Sequence, residues 1–158
     1  VWKISEVYLG VLTMALSVYY LPRLASINSP DEIKKEINSV VLFVLPLIIL
    51  AELIKYFHRD YVIIILFTRD FLPARDLFAI QLIGDVIKVI SWLYAYPMLA
   101  KKATKYFIST EIIFGFTWVL LSLFFIEKFG VSGANIAYVI NYIMYLIVVF
   151  FNLKRVIS

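Results

Sequence analysis

Five ionisable side chains interrupt long apolar runs: Lys3, Glu6, Asp85, Lys88 and Glu111. In a hydrocarbon medium an ionised group costs roughly 2.5–3.5 kcal/mol on insertion scales, so each must face protein or water rather than lipid. Their spacing puts them on helical faces. Lys3 and Glu6 are an i,i+3 pair that continues through Gly10, Thr13 and Ser17, and Gln81, Asp85, Lys88 and Trp92 recur at steps of four, three and four. Thr104, Glu111, Gly115, Trp118 and Ser122 form a third stripe, and Tyr138, Asn141, Tyr145 and Asn152 a fourth. The chemistry such stripes suggest is a shared hydrated cavity for a charged or sugar-bearing solute. Lys3, Lys88 and the carboxylates would lie inside it, and Trp92 and Trp118 beside them would suit stacking on sugar rings. Asp85 and Lys88 read equally as a self-neutralised pair. The small and amide-bearing members read more readily as contacts between packed helices.

The elements that must carry these stripes follow from composition. Of the 158 residues, 63% are hydrophobic and only 16% charged, with a net charge of +4. A soluble domain carries about 25% charged residues, so the chain belongs in a bilayer. There is no cysteine and a single histidine, His58, which removes disulfides, thiolate chemistry and Cys- or His-rich metal centres. No metal or other cofactor is expected, and the absence of a long basic run excludes nucleic acid as a partner. Phosphate-binding loops, metal-binding His motifs and a nucleophile elbow are missing, so no catalytic residue is assigned and the chain reads as a non-enzyme.

A spanning helix needs about 20 mostly apolar residues. That length divides the chain into an all-α polytopic bundle of about five transmembrane spans, near 1–27, 36–57, 73–100, 104–126 and 132–153, with a short interfacial segment at 60–68. Pro22 should loosen the last turns of the first span, and Pro30, Asp31 and Glu32 form a favourable start for the second. Pro73 suits the first turn of the third span, and the loop Glu127–Gly133 is a tight reversal with two glycines. Glu52 and Lys55, at the outer end of the second span, read as a solvated interfacial pair, and the Arg-flanked Asp60, Asp70 and Asp76 as solvated surface.

Basic residues gather at one set of helix ends: Arg23, Lys34, Lys35, Lys101, Lys102, Lys105, Lys154 and Arg155. Fewer lie at the other: Lys55, Arg59, Arg69, Arg75 and Lys128. The richer side is expected to be cytoplasmic, and with it the C-terminus. The opening at Val1 within an amphipathic pattern, without an initiator Met or the charged leader of a signal peptide, leads us to expect that an N-terminal part is missing.

The block Ala74-Arg75-Asp76-Leu77-Phe78-Ala79, Gln81-Leu82, Gly84-Asp85-Val86 and Lys88-Val89 closely resembles the Wzx-type polysaccharide flippases of the multidrug/oligosaccharidyl-lipid/polysaccharide exporter superfamily, nearest to the branch of enterobacterial common antigen synthesis. Ser17-Val18-Tyr19 with Leu21-Pro22, Phe43-Val44-Leu45-Pro46, Glu111 and Gly130-Val131-Ser132-Gly133-Ala134 fit the same pattern. The resemblance implies a two-lobe transporter in the bacterial inner membrane, of which this chain is most of the C-terminal lobe and the N-terminal lobe is absent. It implies flipping of an undecaprenyl-diphosphate-linked oligosaccharide, an O-antigen or common antigen unit, from the cytoplasmic to the periplasmic leaflet by alternating access. Lys3, Glu6, Gln81, Asp85, Lys88, Trp92, Glu111, Trp118 and Asn141 would lie along its cavity. Expected partners are that lipid-linked substrate, membrane lipids, the missing lobe and other polysaccharide-assembly membrane proteins. A small-molecule or drug exporter of the same superfamily is the alternative, and a membrane-embedded glycosyltransferase or polymerase a more distant one.

Overall fold

A computed structural model describes residues 2–66 and 75–157. Its helices are α1 (Trp2–Ala15), α2 (Leu21–Ser26), α3 (Pro30–Phe57), α4 (Arg59–Leu66), α5 (Phe78–Ala100), α6 (Thr104–Phe129) and α7 (Val131–Ile157). Among the described residues, five stretches are long and apolar enough to cross a membrane: Ser5–Ser26, Pro30–Phe57, Arg75–Ala100, Thr104–Phe129 and Val131–Val156. The bundle is all-α among those residues.

Local chemistry explains the joints. Residues Leu16–Tyr20 form a widened π turn between α1 and α2, in which the Leu21 N–H bonds back to the Leu16 carbonyl. Pro22 offers no N–H to the carbonyl one turn earlier and its ring crowds it, so the turn before it opens rather than the helix ending. Helix α3 begins after extended Ser29 with Pro30 in its first turn and Asp31 and Glu32 beside the positive end. It runs unbroken from there, so the solvated start and the apolar span are one helix containing Pro46. The short segment after it folds as α4, which packs Ile63 against Phe78 and Leu82. Pro73 and Asp70 lie outside the described residues.

The expected seven-residue reversal between the last two spans is far tighter. Helix α6 continues to Phe129 and α7 restarts at Val131, leaving Gly130 alone between them at φ +59°. That left-handed conformation suits glycine. Gly133 is required for a second reason: a Cβ there would lie 2.6 Å from the Ile126 backbone nitrogen, so no side chain fits the close approach of the two helices.

Helix α5 occupies the centre and packs against α2, α3 and α7, while α6 lies mainly on α7. Leu24, Ile33, Ile37 and Leu93 build one core among α2, α3 and α5. Ala95, Met98, Phe114, Tyr145 and Val149 build another among α5, α6 and α7. At Gly84 the α5 backbone meets the Tyr138 ring so closely that a Cβ would stand 2.6 Å from Tyr138 Cε1. The Lys101 ammonium, at the α5–α6 corner, donates to the Ile27 carbonyl just past the end of α2. Outward faces of α3 and α6 are apolar, with Leu42, Phe43, Phe116 and Leu120 exposed, as a lipid-facing surface requires.

Candidate substrate cleft

Asp85 is completely buried and is the point where four helices meet. From its own helix, one turn back, Gln81 Nε2 donates to Oδ1 at 3.0 Å. From α7, the Tyr138 hydroxyl donates to the same oxygen at 2.8 Å. From α1, Ser5 Oγ donates to Oδ2. From α3, Lys55 Nζ approaches Oδ2 to 3.9 Å while pairing with Glu52 at 2.6 Å.

Two expectations are corrected here. Asp85 does not pair with Lys88; its cation is Lys55, because the α5 face that carries Asp85 turns into the α1–α3–α7 junction while Lys88 turns away. Glu52 and Lys55 are not a solvated surface pair, since Glu52 is 4% exposed. Glu52 prolongs the buried face of α3 formed by Ile33, Ile37 and Ile48, and that face looks into the bundle.

Lys88 sits among aromatic rings, its Nζ 5.0 Å from the centre of Trp92, 5.2 Å from Tyr142 and 5.6 Å from Tyr138. A desolvated cation over such faces gains about 2 kcal/mol, which helps to hold the ammonium within the bundle with no carboxylate of the described residues in contact. It opens onto a cavity of about 210 Å³ lined by Ser5, Glu6 and Leu9 of α1, Gln81 and Lys88 of α5, Trp118 of α6, and Tyr138 and Tyr142 of α7. Beside it is a smaller compartment of about 90 Å³ lined by Glu111, Phe114, Gly115 and Trp118 of α6 and Asn141, Tyr142 and Tyr145 of α7. Trp118 and Tyr142 line both, so the two are adjoining parts of one cleft. The Tyr145 hydroxyl donates to Glu111, and the Tyr145 ring packs edge-on against Phe114 with centroids 5.3 Å apart.

Most of the residues singled out in the sequence therefore converge. Glu6, Gln81, Lys88 and Trp118 line the larger compartment and Glu111, Trp118 and Asn141 the smaller. Trp92 lies under the Lys88 ammonium and against two core clusters, and Asp85 is below the floor rather than on the surface of the cleft. Lys3 belongs to α1, and its side chain lies outside the described residues. The stripe beyond Glu6 does not line the cleft: Thr13 returns its hydroxyl to the Leu9 carbonyl at 2.8 Å, and Ser17 meets Tyr96 at 3.3 Å. Sequence reasoning missed Ser5, Tyr142, Glu52 and Lys55. Tyr142 was detectable, because Tyr138, Tyr142 and Tyr145 recur at helical steps.

Among the described residues, such a cleft offers a cation, Lys88, held against aromatic faces, together with carboxylate and amide acceptors, at the depth of the apolar spans. Over 143 residues the chain is 34% identical to the lipid III flippases of Escherichia coli (strain K12) and Shigella flexneri. The chain resembles a lipid III flippase. The match takes in 90% of the chain, and the chain spans about a third of the length of these curated relatives. No family model and no solved structure matches it.

Proposed function

We propose that this chain forms most of the C-terminal lobe of a flippase that moves an undecaprenyl-diphosphate-linked oligosaccharide from the cytoplasmic to the periplasmic leaflet of the bacterial inner membrane. The observation that carries this reading is the cleft between α1, α5, α6 and α7, with Lys88 as its cation and polar groups from all four helices, in a chain that resembles lipid III flippases. A diphosphate and its sugars cannot cross hydrocarbon bare, because each desolvated charge costs several kcal/mol. A cleft with a cation and hydrogen-bonding groups lowers that cost while the polyprenyl tail stays in lipid. The polar lining favours this over a drug exporter, for which an apolar cavity would serve.

In this reading an N-terminal lobe completes the cleft, and the two lobes rock about the substrate to open it to either side. The basic helix ends, including Lys34, Lys101 and Lys154, face the cytoplasm, and so does the C-terminus. Pro22 behind its π turn, Pro46 and Pro97 are the bending points. The reaction is transport with no bond made or broken, and no cofactor is required.

The test is flipping of a fluorescent polyprenyl-diphosphate disaccharide by the protein in sealed vesicles. Lys88→Ala should slow it at least about tenfold, the equivalent of roughly 1.4 kcal/mol of lost interaction. Lys88→Arg, which keeps the charge, should recover part of the rate. A wild-type rate in Lys88→Ala would sink the reading.

A further inference from the structure

The two compartments of the cleft differ in chemistry. The larger holds Lys88, whereas the smaller has no cationic lining residue among the described residues. Its lining carries the Glu111 carboxylate and the Asn141 amide beside Trp118, Tyr142 and Tyr145. Asn141 is 4% exposed, and its Oδ1 is buried with no hydrogen-bond partner among the described residues. An unpaired buried acceptor costs about 1–3 kcal/mol, so it calls for a donor from elsewhere. Glu111 accepts from Tyr145, but an ionised carboxylate has about four acceptor positions and retains capacity. Trp118 adds a flat apolar face. At Gly115 a Cβ would meet nothing within 4 Å, so that wall is open space.

A carboxylate at the wall disfavours a phosphate, and together with the unmatched amide oxygen it suits a group bearing O–H or amide N–H donors. A sugar ring has both a donor-rich edge and an apolar face. A volume of about 90 Å³, against about 30 Å³ per water in the liquid, admits one edge of such a ring and not a whole oligosaccharide. The compartment also shares Trp118 and Tyr142 with the one that holds Lys88, so a diphosphate on Lys88 would bring the sugar joined directly to it to this place. We infer that Glu111, Asn141 and Trp118 form a subsite for the diphosphate-proximal sugar and set the selectivity for it through its hydrogen-bond donors. This rests on the flippase reading and adds to it a division of the cleft into a diphosphate part and a sugar part.

Two probes separate the ideas: farnesyl diphosphate, and farnesyl diphosphate carrying a single N-acetylglucosamine, each titrated against the protein in nanodiscs by tryptophan fluorescence. The sugar-bearing probe should bind about tenfold more tightly, the contribution expected of one or two net hydrogen bonds. Glu111→Gln, Asn141→Ala and Gly115→Leu, which fills the open wall, should each bring the ratio of the two affinities towards one. Equal affinity of the two probes for the wild type, or variants that preserve the ratio, would overturn the subsite and leave the flippase reading standing. Variants that weaken both probes alike, keeping the ratio, would assign these residues to structure instead. Binding of neither probe to the wild type would overturn both.

Discussion

Among the carboxylates within the membrane-spanning helices, Asp85 and Glu111 stand in opposite circumstances. Asp85 has no exposed surface and receives hydrogen bonds from Ser5, Gln81 and Tyr138, with Lys55 behind them. Glu111 faces an open compartment and receives one, from Tyr145. A carboxylate saturated by its own protein has little left for a ligand and acts as a tie between helices. One with a single partner at a cavity wall retains acceptor capacity. Burial and partner number thus separate the structural acid from the ligand-facing one, although both interrupt apolar sequence in the same way.

That contrast can be broken in order of expected effect. Asp85→Ala removes the acceptor for three donors and strips Lys55 of one of its two carboxylates. It should cost about 3–5 kcal/mol, as breaking a buried ion pair does, and be seen as a large fall in the unfolding midpoint in detergent. A change below 1 kcal/mol would mean that the tie is not structural. Gly84→Ala pushes the Tyr138 ring away from α5 and drags its hydroxyl from Asp85. Overpacking of this kind costs about 1–3 kcal/mol, measured in the same unfolding experiment. Tyr138→Phe deletes one of the hydrogen bonds and should cost about 1 kcal/mol; with Gly84→Ala it should be less than additive, because the two share one contact. Glu111→Gln should stay within about 0.5 kcal/mol of the wild type in stability while lowering surface-glycan export in cells. Strong destabilisation by that last change would remove the distinction between the two acids.

The helices were legible because their apolar lengths are set by the bilayer, and so were most cleft residues, because polar groups in an apolar span have few places to go. What was not legible is which neighbour each polar group meets. Asp85 and Lys88 sit at ion-pair spacing, yet a helix at the centre of a bundle is surrounded, and a three-residue step is enough to send the two side chains to different neighbours. Glu52 and Lys55 were read by their position near the end of a span. Hydropathy measures depth and not direction, and the direction was written in the spacing of Ile33, Ile37, Ile48 and Glu52, all on one face of α3. The π turn and the one-residue link at Gly130 depend on backbone hydrogen bonding that composition does not report.

The Gly130 link has a mechanical consequence. With a single residue between α6 and α7, and backbone contact at Gly133, the two helices cannot spread at that end and must swing as one hairpin. Glu111 and Trp118 ride on one arm and Asn141 and Tyr142 on the other. A pair of arms joined so closely at one end has its spacing there set by the backbone itself, whatever happens further along.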